Sequence, residues 1–66
     1  MEEWIKMRRT HLVEQVEILE RNVIKYEKID VSGWDDLNKD NVTRAIEDSR
    51  KLIDHYTEEI KLIDRS

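Results

Sequence analysis

Oxygen-bearing side chains recur at a regular spacing near the middle of the chain. Asp36, Asn38 and Asp40 occupy alternate positions, and Glu47 is the twelfth residue counted from Asp36. Calcium ions in proteins are bound by carboxylate and amide oxygens, several of which come from alternate positions of one loop. The spacing therefore makes these four residues candidate ligands of a calcium ion.

The twelve residues from Asp36 to Glu47 resemble the loop of an EF-hand, and the run Asp-Leu-Asn-Lys-Asp is similar to a dockerin loop. The resemblance implies a calcium ion held by the four candidate ligands. The chain departs from the EF-hand pattern at the sixth position, where Asn41 replaces glycine, and at the eighth, where Thr43 replaces an aliphatic residue. The aliphatic residue, Val42, comes one position early.

The same region has the composition of a turn between two helices. Residues 31–41 hold the only glycine and one of the two tryptophans. Ser32 and Asp35 form a Ser-x-x-Asp signal for a helix start, and Asn38 and Asp40 are further candidates for the N-cap. We expect these polar side chains to close the first turn of a helix.

Trp34 has two possible roles in this turn. Together with Leu37 it can fold down and plug the closed end of a helical bundle. Alternatively, it can anchor an acidic tip on the basic surface of a partner, with the neighbouring acids steering the approach. The apolar pattern breaks between Leu37 and Val42, which favours the plug and places the start of the second helix at Lys39 or Asp40.

The residue types that carry covalent chemistry are scarce. The chain has no cysteine and one glycine, which excludes a thiol nucleophile and a glycine-rich phosphate loop. None of the three serines adjoins a histidine in a recognisable arrangement, and His11 and His55 form no His-x-x-x-His metal pair. We therefore predict that the protein is not an enzyme and uses no cofactor.

Charge and hydropathy narrow the class of partner. Charged residues are 42% of the 66 residues, yet the net charge is only −4 because both signs are interspersed. This balance disfavours nucleic acid as a partner. No apolar run exceeds two residues, so we expect no membrane span. The chain begins with acidic residues where a signal peptide would be basic. We expect a soluble, cytoplasmic protein.

Apolar residues recur with helical periodicity in two long segments, residues 2–29 and residues 39–64. The seam of the first segment consists of Ile5, Arg9, Leu12, Val16, Leu19, Val23 and Tyr26. The seam of the second consists of Val42, Ile46, Ser49, Ile53, Tyr56, Ile60 and Ile63. These spacings of three and four residues are typical of helices that pack along one stripe.

The two seams come into register when the segments fold back antiparallel around a turn at residues 30–39. Counting from the turn, Tyr26 then lies near Val42, and Ile5 lies near Ile63. We therefore predict one all-α domain over residues 1–66. Its fold is an antiparallel, coiled-coil-like two-helix hairpin that dimerises into a four-helix bundle, since a chain this short buries little core alone.

The first segment has more apolar surface than one facing helix can cover. Trp4 and Ile18 lie to one side of its seam, Val13 and Ile24 lie to the other, and Ile29 extends the first side toward the turn. We predict an oligomer or partner interface formed by Trp4, Ile5, Leu12, Val13, Ile18, Ile24 and Trp34.

The predicted function is that of a small, self-associating protein–protein interaction module. It would bind itself and another protein, and would regulate or inhibit that partner in the manner of small bacterial or phage proteins. Two alternatives stay open. One is a small-ligand binder, with calcium at the acidic turn or an anion held between protomers by Arg8 and Arg9. The other is a structural component of a larger helical assembly.

Overall fold

The computed structural model describes residues 2–66 and contains two helices, α1 (Glu3–Glu27) and α2 (Asp36–Arg65). They pack against each other as a rod measuring 51 × 14 × 13 Å. No strand occurs among the residues described. The predicted all-helical two-helix hairpin is confirmed.

Two ion pairs between the helices show that they run antiparallel. Arg9, near the start of α1, pairs with Asp64 near the end of α2 at an Nε–Oδ1 distance of 2.7 Å. Glu27, at the end of α1, pairs with Arg50 in the first half of α2. Because a higher number on α1 meets a lower number on α2, the chain folds back on itself.

The predicted seams are the surfaces along which the helices pack. All fourteen seam positions are buried or half-buried. Leu12 and Val23 alone among the described residues are classed as buried. Each helix has only one neighbour, and a second layer would be needed to cover the remaining seam side chains.

Two short-range hydrogen bonds hold the turn, one accepted by an acidic side chain and one by a backbone carbonyl. The Ser32 backbone N–H donates to Asp30 Oδ1 at 3.0 Å, and the Trp34 N–H donates to the Val31 carbonyl at 2.9 Å. Gly33 has no positive φ, and a β-carbon built on it would meet no atom within 4 Å. The turn therefore depends on its hydrogen bonds and does not require the conformational freedom of glycine.

The second helix begins three residues before the predicted Lys39. Asp35 is its N-cap, with extended backbone and a side chain that accepts the Asn38 N–H at 2.8 Å. This bond satisfies one of the free N–H groups of the first turn, so the helix starts there. The break in the apolar pattern marks an exposed first turn of the helix. At the other end, α1 stops at Glu27, two residues short of the prediction.

The hairpin exposes more surface than a compact protein of its mass. Its accessible surface is 5302 Å², whereas a folded monomer of this mass exposes about 4,500 Å². The radius of gyration is 15.5 Å, compared with about 11 Å for a globular chain of this length. Neither described helix contains a stretch apolar and long enough to cross a membrane.

The cap at Asp35 yields a test of the turn. We expect Asp35→Ala to lower the free energy of unfolding by about 1 kcal/mol, because the N-terminal N–H groups of α2 lose their acceptor. Asp35→Asn keeps a side-chain oxygen at the cap and should retain most of the stability. Thermal unfolding followed by circular dichroism, at one fixed chain concentration, measures both. Equal losses in the two variants would contradict the assigned cap.

Candidate interaction surface

The four predicted calcium ligands all lie on α2 and do not surround a common point. Asp36 and Glu47 are eleven residues apart on one helix, a separation of about 16 Å along its axis. The Asn38 side chain donates to Asp35 Oδ2 at 3.2 Å. Among residues 2–66 no group of three His, Cys, Asp or Glu side chains is placed to hold a metal ion. An EF-hand needs a loop at these positions, and the chain forms a helix there.

Trp34 and Leu37 do not form a buried plug at the closed end. Trp34 remains 42% exposed and Leu37 70% exposed. Leu37 lies in the first turn of α2, before the seam begins, so it projects largely into solvent. Trp34 stands beside the capping Asp35 and borders an open hollow with Gly33 and Asn38. The closed end therefore presents an accessible tryptophan among acidic groups.

The predicted interface residues of α1 separate into three groups. Leu12 is fully buried in the hairpin, so it is not available to a partner. Ile5 and Val13 are half-buried, while Trp4, Ile18 and Ile24 are exposed. The exposed three do not form a single patch, since helical geometry places them on two sides of the hairpin.

One side, which we call the Trp4 side, consists of Trp4 and Ile18 from α1 with Leu52 and Ile63 from α2. Trp4 and Ile18 are fourteen residues apart, which places them within about 40° of each other around α1. Leu52 and Ile63 are eleven residues apart and within about 20° around α2. Trp4 and Ile63 line the same groove, so both pairs face the same way.

That groove lies at the open end of the hairpin and has a volume of about 310 Å³. Trp4, Ile5, Leu62 and Ile63 supply its apolar lining. An ion pair between Arg8 Nη2 and Glu59 Oε2 at 3.0 Å borders it. The start of α1 and the end of α2 form this groove together, and its opening admits an apolar side chain of another molecule.

The opposite side, which we call the ion-pair side, has a different chemistry. Arg9 and Glu27 are about five helical turns apart and share one angle around α1, about 140° from Trp4, and from there they pair across to Asp64 and Arg50. Ile24 lies on this side, at about 60° around α1 from Glu27. The ion-pair side therefore also exposes an apolar residue, Ile24, but charged residues adjoin it.

Sequence patterns alone did not identify the groove. Leu62 lies outside the seam of α2, and Trp4 lies beside the seam of α1. Their shared position depends on which flank of one helix meets which flank of the other. One signal in the sequence could have indicated the groove: Trp4 and Leu62 both lie outside their seams, and both are at the same end of the predicted hairpin.

Hydrogen bonds lower the pKa of two exposed carboxyl groups. Arg9 donates to both oxygens of Asp64, at 2.7 and 3.2 Å, and this bonding holds the pKa of Asp64 below its ordinary 3.8. The same bond raises the pKa of Arg9. Hydrogen bonding from Ser32 lowers the pKa of Asp30. Desolvation opposes the shift in each of the three groups, so the direction of each pKa shift comes from the local hydrogen bonding.

No protein-family model matches the chain, and comparison with curated proteins and with solved structures gives no match.

The lowered pKa of Asp64 predicts an acid-sensitive link between the helices. The stabilisation by the Arg9–Asp64 pair should be complete well above pH 3.8 and should vanish as the pH falls through the lowered pKa of Asp64. A double-mutant cycle with Arg9→Gln and Asp64→Asn isolates the coupling energy and cancels helix-dipole effects common to both backgrounds. We expect favourable coupling at pH 7 that decreases in acid. A coupling energy that is the same at pH 7 and at a pH below the lowered pKa of Asp64 would contradict an acid-sensitive Arg9–Asp64 link.

Proposed function

We propose that the chain is a self-associating helical hairpin that acts as a protein–protein interaction module and regulates or blocks a partner protein. The observation that carries the proposal is the small core. Leu12 and Val23 alone are classed as buried among the described residues, whereas large apolar side chains are exposed along the whole hairpin. Contact with a second molecule that removes such side chains from water lowers the free energy of the system.

Self-association is the first part of the proposal. A chain of this length buries only about 60% of the surface that its unfolded form exposes, and oligomerisation is a common way to add stability. Two hairpins that pack together would form a four-helix bundle, in which each helix has two neighbours. The half-buried seam residues would then become fully enclosed.

The second part concerns the partner protein. The turn end presents Trp34, which is exposed beside the capping Asp35, and residues 30–40 carry −3 of the net charge of −4. Tryptophan is a frequent anchor of protein interfaces, and an acidic surround attracts a basic surface and speeds its approach. We infer that the partner presents a basic surface to this end.

Sedimentation equilibrium tests self-association directly. We expect the chain to sediment as a dimer or larger oligomer at micromolar concentration, and its melting temperature should rise with chain concentration because association stabilises the folded state. A well-folded monomer with a concentration-independent melting temperature would contradict the self-association.

The role of the turn end is tested by affinity capture from the source organism with the native chain, Trp34→Ala and Met7→Ala. Met7 is a control because it is an exposed apolar residue near the start of α1, at the opposite end of the hairpin from the turn. We expect Trp34→Ala to weaken binding of the captured partner by about 2 kcal/mol, as for an interface anchor. Binding should also weaken as salt screens the acidic residues. A partner retained equally by all three chains would argue against the turn end as its site.

A further inference from the structure

We propose that the Trp4 side is the face on which a second copy of this chain docks, with the ion-pair side turned outward to solvent. The inference rests on the proposed self-association and deepens it by naming the surface and its occupant. Three observations carry it: the surface area in excess, the chemistry of the two sides, and the length of the apolar stripe.

The excess area matches what a stable dimer requires. The hairpin exposes 5302 Å², which is about 800 Å² more than a compact monomer of this mass. A standard protein–protein interface buries about 800 Å² from each partner. Covering one side of the rod with a second copy would therefore remove the excess from water.

The chemistry of the two sides selects the Trp4 side. Docking on the ion-pair side would remove water from Arg9, Asp64, Glu27 and Arg50, and desolvated ion pairs often cost more than their attraction returns. The Trp4 side has one cross-helix ion pair, Arg8–Glu59, whose Glu59 also contacts His55, so docking there desolvates one such pair instead of two. The remainder of that side is the apolar groove and Leu52.

The apolar stripe is long enough to align two hairpins side by side. Trp4 and the groove lie at the open end, and Ile18 lies fourteen residues further along α1, a distance of about 21 Å. Leu52 continues the stripe on α2. In a two-fold symmetric dimer the same patch is used on both copies, so a stripe exposed on one hairpin can be covered by that of the other.

Charge substitution tests which side is used. Ile18→Glu and Leu52→Glu place a carboxylate on the Trp4 side at positions 46% and 42% exposed in the hairpin, and Ile24→Glu makes the same change on the ion-pair side at 52% exposure. Glutamate is a good helix former, so the hairpin itself should tolerate each change. We expect the first two variants to weaken dimerisation at least about tenfold, measured by sedimentation equilibrium, and Ile24→Glu to change it much less.

Cross-linking provides a second readout that does not require the charged variants to fold. The chain has no cysteine, so an introduced thiol is unique. Chains with Ile18→Cys and Leu52→Cys are mixed and treated with a short bismaleimide. The matched mixture is Ile24→Cys with Thr43→Cys. Thr43 is seven residues from Arg50 and within about 20° of it around α2, so both positions are on the ion-pair side. We expect covalent dimers from the first mixture and only background from the second.

These experiments distinguish docking through the Trp4 side from self-association in general. A native chain that dimerises, but cross-links through the Ile24 and Thr43 positions, would overturn the Trp4 side while leaving self-association intact. A native chain that stays a folded monomer at all concentrations would overturn both. Dimers that cross-link through Ile18 or Leu52 and are weakened by charge there would support both.

Discussion

A single line of contact between two helices is the constraint on which the rest of this structure depends. Each helix has one neighbour, so a seam side chain is covered by the facing helix and remains open toward either side of the rod. Leu12 and Val23 alone are classed as buried among the described residues, although all fourteen seam positions are at least half-buried. The hydrophobic stabilisation of the isolated hairpin is correspondingly small, because it scales with the apolar area removed from water.

Charge gives the two open sides of the rod different properties. The Arg9–Asp64 and Glu27–Arg50 pairs join the helices on one side, near opposite ends of α1. Exposed ion pairs contribute little to stability, but pairs that join specific positions favour this register over a shifted one. Asp64 also lies near the C-terminus of α2, where the helix dipole disfavours a negative charge, and Arg9 offsets that charge. The Trp4 side, with its apolar stripe and groove, is the better surface for association.

The turn shows how local hydrogen bonds override a pattern based on hydropathy. Asp35 caps α2 and Asp30 binds the Ser32 N–H, so two of the acids that give the turn its negative charge also fix its backbone. The helix therefore covers the whole stretch that resembles a calcium loop, and the rise of the helix spreads the oxygen atoms of that stretch along the axis. Trp34 remains at the surface beside the cap.

The sequence by itself determined the helical class, the position of the turn and both seams, because the period of apolar residues reflects the geometry of one helix and needs no knowledge of its neighbour. It misplaced the start of α2, since the Asp35 cap outweighed the break in the apolar pattern. The tertiary structure decided how the flanks of the two helices combine. Only after α1 and α2 are packed do Trp4 and Leu62 share a groove and Arg9 meet Asp64. Contacts between residues beside the seams depend on how each helix is rotated about its axis. The apolar pattern does not fix that rotation, because the seam is broad enough to allow a range of angles.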